Sequence, residues 1–192
     1  MIVYAYLNSN STLCCALTES AVPPGVSYTS FTVNSPDDVV YVSGTIRTKT
    51  QEELLAEAKQ KALQQLSQST MNYIYQYYPD WKQRADMIDL ANAEAYLTYE
   101  GLNPTQVKQL ATQQILSGAS YTQALSTLSQ TFNSNTNSTI GYWLEQLLKA
   151  SYRQNFVYQV KEQYYSISHQ LSSATALPLP SYTISVPFPS MP

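Results

Sequence analysis

The sequence of 192 residues is poor in charged side chains, glycine, histidine and cysteine. Asp, Glu, Lys and Arg make up 12% of the chain, about half of the ~25% usual in soluble globular proteins. The net charge is −3, and the 10 Lys and Arg residues form no basic cluster. Binding to nucleic acid requires several cationic contacts with phosphates, so we predict none. A surface with so little charge favours a protein that packs against other subunits.

The scarcity of chemically active residues argues against catalytic and metal sites. His169 is the single histidine and stands near the end of a predicted helix, where a cation complements the helix dipole. Cys14 and Cys15 are adjacent, which suits two reduced residues better than a strained vicinal disulfide. The 5 glycines are scattered, so no phosphate-binding loop is present. We therefore expect no catalytic residue, no metal site and no cofactor, and we predict that the protein is not an enzyme.

Pairs of carboxylates are the remaining candidates for acid–base chemistry. Asp37 and Asp38 follow a proline in a predicted turn, where Asp is a common turn residue. Two further pairs are interpreted as solvated helix faces: Asp86 with Asp89, and Glu94 with Glu100. None of these pairs predicts an active site.

Long apolar runs are also missing from the sequence. Spanning a bilayer takes about 18 apolar residues, and the chain has no such run, so we expect no membrane insertion. The first residues, MIVYAYLNSNS, lack the basic and apolar regions of a signal peptide. We expect no secretion signal.

The predicted fold class is α+β, beginning with a small antiparallel β-segment in residues 1–48. Short β-prone runs alternate with turn residues there, and Ser43-Gly44 is typical of a hairpin turn. The predicted runs are 2–7, 12–18, 28–33, 39–42 and 45–47.

Residues 49–172 are predicted to be mainly helical, with two long helices. Thr50 and Glu53 form a capping box at the start of the first, and an apolar stripe continues from there to Pro79 for about seven turns. The other long helix is predicted over residues 140–171. Helices of this length favour a scaffold that packs on a partner.

A shorter helix is predicted between them, with Asp80 as its N-cap and Gln83 completing a capping box. We expect Gly101 to end it. Its apolar stripe comprises Ala85, Ile88, Ala91 or Asn92, Ala95 and Tyr99.

Two more short helices are predicted before a polar loop at residues 132–139. Asn103-Pro104 begins the first with Pro at the N1 position. Ser120 with Gln123 forms a capping box for the second.

Residues 173–192 are predicted to form an extended proline-rich arm, because five prolines exclude a helix. Tyr182, Ile184, Val186 and Phe188 alternate with polar residues or proline. A solvated tail does not need such alternation, so we expect these four side chains to bind a neighbouring protein. A flexible tail is the alternative.

The 17 tyrosines are the strongest functional signal. Tyr73 and Tyr77 belong to the apolar stripe of the first long helix, whereas Tyr75 and Tyr78 lie on its other faces, close to Trp81. Tyrosine and tryptophan are enriched at protein interfaces. We therefore predict that Tyr75, Tyr78 and Trp81 bind a partner.

Asp37-Asp38-Val39-Val40-Tyr41-Val42-Ser43-Gly44 is followed by the capped helix that begins at Thr50 and by the break Tyr78-Pro79-Asp80-Trp81. In these three features the chain resembles short tail-associated proteins of tailed bacteriophages. The resemblance covers roughly residues 20–100. It implies a virion structural or assembly protein of a tail, baseplate or fibre attachment, without catalysis. Its implied partners are other virion proteins and copies of itself in a homo-oligomer, and its implied localisation is the virion, after assembly in the host cytoplasm.

Three other functions remain open. A capsid-stabilising or decoration protein would use the same surface elsewhere on a particle. A carbohydrate-binding module would recognise a host-surface glycan through the tyrosine clusters. A tail-fibre chaperone would act during assembly and leave the particle.

Overall fold

The computed structural model describes residues 1–134 and 138–191 and has an α+β fold. Small antiparallel sheets near the N-terminus precede a mostly helical region. This arrangement confirms the fold class predicted from the sequence.

The chain divides into two compact units. The first comprises Met1–Ala62 and Ala174–Leu179, and the second comprises Leu63–Ser173 and Pro180–Pro192. The division between the units falls after Ala62, and the C-terminal residues are divided between them after Leu179.

The first unit holds five strands, and each of them falls within or overlaps one of the predicted runs. They are β1 (Ile2–Leu7), β2 (Leu13–Ala16), β3 (Tyr28–Thr32), β4 (Val39–Val42) and β5 (Thr45–Thr48). Strands β2, β1 and β3 form an antiparallel sheet in that order, and β4 pairs with β5 in a separate hairpin.

The β4–β5 hairpin turns at Ser43 and Gly44, whose φ angles are 53° and 83°. Two positive φ angles suit the tight turns that match strand twist, and glycine adopts them without steric cost. Val3, Ala5, Val33 and Val39 form the buried core of this unit.

Five α-helices lie in residues 1–134 and 138–191. They are α1 (Gln51–Tyr77), α2 (Asp80–Tyr99), α3 (Pro104–Leu116), α4 (Tyr121–Thr131) and α5 (Thr139–Ser173). The described residues after Ser173 belong to no helix or strand.

Three of the predicted helix starts have the expected capping contacts. The Glu53 N–H donates to the Thr50 hydroxyl at 3.2 Å, and the Thr50 N–H donates to the Glu53 carboxylate at 2.7 Å. Asn103 accepts from Thr105 N–H, and Ser120 forms a capping box with Gln123. These local contacts satisfy N–H groups that the first helical turn leaves without intrahelical partners.

The predicted N-cap of α2 is wrong. Asp80 is already helical, and Pro79, which has no side-chain acceptor, occupies the cap position. Gln83 donates instead to the carbonyl of Tyr78 at 2.7 Å. The Asp80 carboxylate pairs one turn ahead with Arg84, where it also complements the positive end of the helix dipole.

The core of the second unit surrounds α5. Helices α2, α3 and α4 all pack against α5, and removal of their apolar side chains from water is the main favourable contribution to folding. The central side chains are Ala93, Leu97, Val107, Ala111, Leu128, Leu144, Leu147 and Leu148.

The predicted apolar stripe of α2 faces away from the core. Ile88 is 62% exposed and Tyr99 is 84% exposed. Asp86, Ala93 and Leu97 are buried instead. The inward face of α2 is the one whose residues meet distant parts of the chain: Asp86 pairs with Arg153 of α5, and Ala93 and Leu97 pack in the core.

The polar loop predicted at 132–139 lies partly outside the described residues, as does Pro192 at the end of the predicted arm. Phe132 is the C-cap of α4. The Ser138 hydroxyl accepts from Gly141 N–H at 3.0 Å at the start of α5.

Candidate protein-interaction surface

A buried carboxylate organises the part of the second unit that carries the predicted partner-binding residues. Asp86 of α2 is 2% exposed. Arg153 of α5 donates to both of its oxygens, at 2.7 and 2.8 Å, and Lys82 lies 3.3 Å from Oδ1. Tyr78 donates to Oδ2 at 2.9 Å. The Asp86 charge is thus paired and hydrogen-bonded, as a charge removed from water must be.

The interpretation of Asp86 as a solvated residue is therefore wrong. Its helical position could not reveal the burial, because the partner that makes burial tolerable is Arg153, 67 residues away. A lone carboxylate in a helix is usually exposed.

Tyr78 was predicted to bind a partner, but the structure places its side chain inside this chain rather than on the surface. Tyr78 is 4% exposed, so its ring is part of this chain's interior. Burial and the hydrogen bond to Asp86 raise the pKa of the Tyr78 phenol above its usual range. Tyr78 follows the last residue of α1, where the chain leaves the helix and its side chain turns inward to reach Asp86.

Tyr75 and Trp81, the other two residues predicted from this cluster, lie on the surface. Tyr75 is 46% exposed in α1 and Trp81 is 67% exposed in the first turn of α2. The flanking Met71 and Met87 are 47% and 67% exposed. The structure thus brings large apolar side chains to the surface where α1 ends and α2 begins.

The predicted arm residues contact this chain's own helices. Ile184 and Val186 are buried, whereas Tyr182 and Phe188 are partly buried. Ile184 and Val186 were expected to bind a neighbouring protein, but the second unit itself covers their side chains.

Hydrogen bonds between helix side chains and the backbone of the C-terminal segment hold this segment in place. The Tyr73 hydroxyl donates to the carbonyl of Val186 at 2.8 Å and accepts from its N–H at 3.2 Å. Ser185 N–H donates to the Gln163 side chain at 2.8 Å. An extended segment has no backbone partners of its own, so side chains of α1 and α5 supply them.

An aromatic cluster completes the contact. The Phe188 ring stacks on Tyr77, with centroids 5.8 Å apart, and meets Phe156 edge-on at 5.0 Å. Tyr73 also lies 6.2 Å from Phe156. Offset and edge-on ring pairs of this kind stabilise beyond the area they bury. The predicted stripe residues Tyr73 and Tyr77 therefore serve to bind the C-terminal segment.

A second buried tyrosine lies between α4 and α5. Tyr121 donates to Glu145 at 3.0 Å, and burial followed by this hydrogen bond raises the pKa of the Tyr121 phenol. The pKa of Glu145 is lowered, chiefly by its bond with Lys149. This set fastens α4 to α5.

The cavities offer little chemistry. A cleft of about 300 Å³ in the second unit is lined by residues that include Lys108, Ser151, Asn155 and Tyr158. Lys108 forms an ion pair with Glu94, and the Ser151 hydroxyl donates to a helix carbonyl. The described residues hold no cluster of three or more His, Cys, Asp or Glu side chains that could bind a metal ion.

Within residues 1–134 and 138–191, no helix combines the length and apolar character that crossing a bilayer requires.

Several residues of the surface were missed by sequence reasoning. The sequence did not single out Met87, and it indicated Ile88 and Tyr99 only as members of the apolar stripe of α2. The spacing that placed Ile88 and Tyr99 on one stripe was a real signal, but periodicity does not say whether a stripe faces the chain's own core.

Comparisons with protein-family models, curated proteins and solved structures found no match to this chain.

Proposed function

We propose that this chain is a non-enzymatic structural or assembly protein of a virion, in a bacteriophage tail, baseplate or fibre attachment. It acts through contacts with other virion proteins and with copies of itself. It is assembled in the host cytoplasm and stays in the virion. The two long helices form the scaffold, and the proline-rich arm and β-segment are its docking elements.

The observation that carries this proposal is a charge-poor chain with many exposed large apolar side chains. Charged residues make up 12% of the sequence. Trp81, Met87, Ile88, Tyr99 and Tyr158 are each more than 60% exposed. Scattered exposed apolar residues are ordinary, but a concentration of them marks an interaction site. Aromatic residues and Met are enriched in the centres of interfaces, where charge is depleted.

The arm contributes in a different way from the one the sequence predicted. Its apolar residues pack against α1 and α5, so its docking role is to build a surface of the second unit. Tyr182 and Phe188 remain partly exposed and are the arm residues through which a partner would be bound.

Mass spectrometry of particles tests this function. The gene for this chain in the infecting genome would encode a small affinity tag, and virions would be purified on a density gradient. We expect the chain in the particle fraction at a fixed ratio to other structural proteins. Its confinement to particle-free fractions would contradict the proposal and favour a tail-fibre chaperone. Electron microscopy with a label on the tag separates the tail from the capsid surface and thereby tests the decoration-protein alternative.

A carbohydrate-binding module is the second candidate, and exposed Tyr75 and Trp81 favour it because aromatic faces stack on sugar rings. A glycan array with the purified chain tests it. Selective binding that is lost in Trp81→Ala and Tyr75→Ala would support this function. Tyr78 is unsuitable for the test, because its substitution would disturb the buried Asp86.

A further inference from the structure

The outward face of α2 carries a heptad pattern of six residues spaced 4-3-4-3-4, which we call the α2 seam. The spacing alternates between the d and a positions of a coiled coil. Trp81, Ile88 and Ala95 occupy d, and Ala85, Asn92 and Tyr99 occupy a. The pattern extends over the whole length of the helix, whose bounds are Asp80–Tyr99.

The α2 seam faces away from the core. Trp81 is 67%, Ile88 is 62% and Tyr99 is 84% exposed, and Asn92 and Ala95 are also exposed. The exposed fractions show that none of the described elements covers these side chains. The buried residues Asp86, Ala93 and Leu97 occupy the b and f positions, on the other side of the helix. Helix α2 therefore has two apolar faces, of which the protein's own core uses one.

We propose that the α2 seam is the interface of a parallel homodimer, in which α2 packs along α2 of a second copy of this chain. This inference rests on the proposed function and deepens it, because it names one partner and the residues that bind that partner. Side chains at d and a would interdigitate along the two-fold axis. The small side chains of Ala85 and Ala95 leave room for the helices to approach between the larger Trp81, Ile88 and Tyr99.

Asn92 suits a second copy in the parallel orientation. A single Asn at an a position pairs with the same residue of the facing helix and specifies register and dimeric state. In a dimer buried along the seam, Asn92 is paired when the second helix carries Asn at the same height.

Charge complementarity also favours the parallel arrangement. Arg84 occupies g and Asp89 occupies the following e position, and parallel coiled coils bring g of one helix next to that e of the other. Arg84 of each copy would thus meet Asp89 of the second copy, twice in the dimer. An antiparallel pair in register on Leu90 would instead place the two Asp89 carboxylates, both at e, near each other.

Sedimentation equilibrium of the full chain tests the interface. We expect a dimer at about 50 µM. Ile88→Glu places a charge in the seam and should raise the dimer dissociation constant on the order of 100-fold. Met87→Glu is the matched control, since Met87 is equally exposed and adjacent but lies at c, outside the seam. Its dissociation constant should stay within about threefold of the parent.

Two outcomes would overturn the proposal. One is a chain that is monomeric at about 100 µM. The other is a dimer that Ile88→Glu and Met87→Glu affect equally. Circular dichroism of both variants establishes that the helices are still folded.

Charge reversal tests the orientation. Arg84→Glu and Asp89→Arg should each weaken the dimer by about 3- to 10-fold, and the double variant should restore it to within about threefold. Two single variants without effect, or a double variant no tighter than the singles, would overturn the parallel register.

The failure of this inference is distinguishable from failure of the proposed function. Sedimentation uses the purified chain alone, whereas the function is tested by recovery of the chain in virions. A dimer that Ile88→Glu dissociates, in a protein absent from virions, would support the α2 seam and reject the virion role. A monomeric chain recovered in virions would support the virion role and reject the α2 seam.

Discussion

The buried carboxylate of Asp86 connects three other side chains, which come from the residue after α1, from α2 and from α5. Arg153 and Lys82 balance its charge, and Tyr78 completes its hydrogen bonds. Such a group adds little net stability compared with a well-packed apolar one, but removing one partner leaves an uncompensated charge. The Asp86 contacts therefore favour the rotation of α2 that keeps this carboxylate against Arg153, together with the packing of Ala93 and Leu97.

Arg153→Met should lower the free energy of unfolding by about 3 kcal/mol, because Asp86 then keeps only Lys82 as a cationic partner. Urea unfolding followed by circular dichroism measures the change. The double variant Asp86→Leu with Arg153→Met should recover much of the loss, since the buried charge is removed too.

The half-exposed pair of Glu94 and Lys108 provides the control. Lys108→Met removes an ion pair whose side chains are 39% and 42% exposed, so it should cost less than about 1 kcal/mol. Equal losses of unfolding free energy for Arg153→Met and Lys108→Met would show that the Asp86–Arg153 pair contributes no more than a surface ion pair.

The capping residue Glu53 should make stability depend on pH. Its hydrogen bonds with Arg47, and then with the Thr50 backbone, lower its pKa from 4.5 to about 2. A carboxyl group with a lowered folded-state pKa stabilises the fold above its unfolded pKa, and this contribution is lost as the pH falls from about 4.5 towards 2.

Glu53→Gln retains a capping acceptor but removes the charge. We expect a lower Tm than the parent at pH 7 and a difference that vanishes near pH 2. The same substitution at exposed Glu52 should have a smaller effect. A Tm difference for Glu53→Gln that stays constant from pH 7 to pH 2 would rule out the charge as its source.

At the scale of elements, helices α1 and α5 supply the surface on which the C-terminal segment lies. The segment has prolines that prevent a helix, and its N–H groups therefore need partners from elsewhere. Tyr73 and Gln163 provide them for Val186 and Ser185. The segment should accordingly behave as an ordered part of the second unit.

Amide hydrogen exchange tests whether these hydrogen bonds hold the C-terminal segment on the helices. Tyr73→Phe keeps the ring but removes the hydroxyl that accepts from Val186 N–H, so exchange at Val186 should accelerate by about 10-fold. Tyr75→Phe, on an exposed position of the same helix, should leave that exchange rate unchanged. Rapid exchange at Val186 and Ser185 in the parent would show that the segment is not fastened.

The local features of these elements could be predicted from the sequence. The capping boxes at Thr50 and Ser120, and the Ser43-Gly44 turn, involve residues only a few positions apart, so their geometry follows from local chemistry. The cap at Asp80 was predicted wrongly, because the preceding Pro79 takes the cap position and Asp80 becomes the first helical residue.

At the scale of the whole molecule, low charge leaves little repulsion between copies. The net charge is −3 at pH 7, and exposed aromatic and aliphatic side chains such as Trp81, Ile88 and Tyr99 provide attraction. Near-zero net charge promotes association of such surfaces.

The solubility of the chain should therefore reach a minimum near its isoelectric point, which is about 5.0. The soluble concentration after centrifugation, measured from pH 4 to pH 8, checks this expectation. Ile88→Glu should increase solubility at pH 7 more than Met87→Glu, since both add the same charge but only the first interrupts the α2 seam. Solubility that does not vary with pH would contradict the expectation.

The sequence by itself determined the α+β class, the positions of the strands and most helix starts, because turn residues, caps and periodicity act over a few neighbouring residues. Only the tertiary structure decided which face of α2 is buried and where Ile184 and Val186 pack. Those outcomes depend on contacts between residues 67 positions apart for Asp86 and Arg153 and 113 apart for Tyr73 and Val186. A periodic stripe has the same pattern whether it meets its own core or a second copy, so burial can be assigned only once distant residues are brought together.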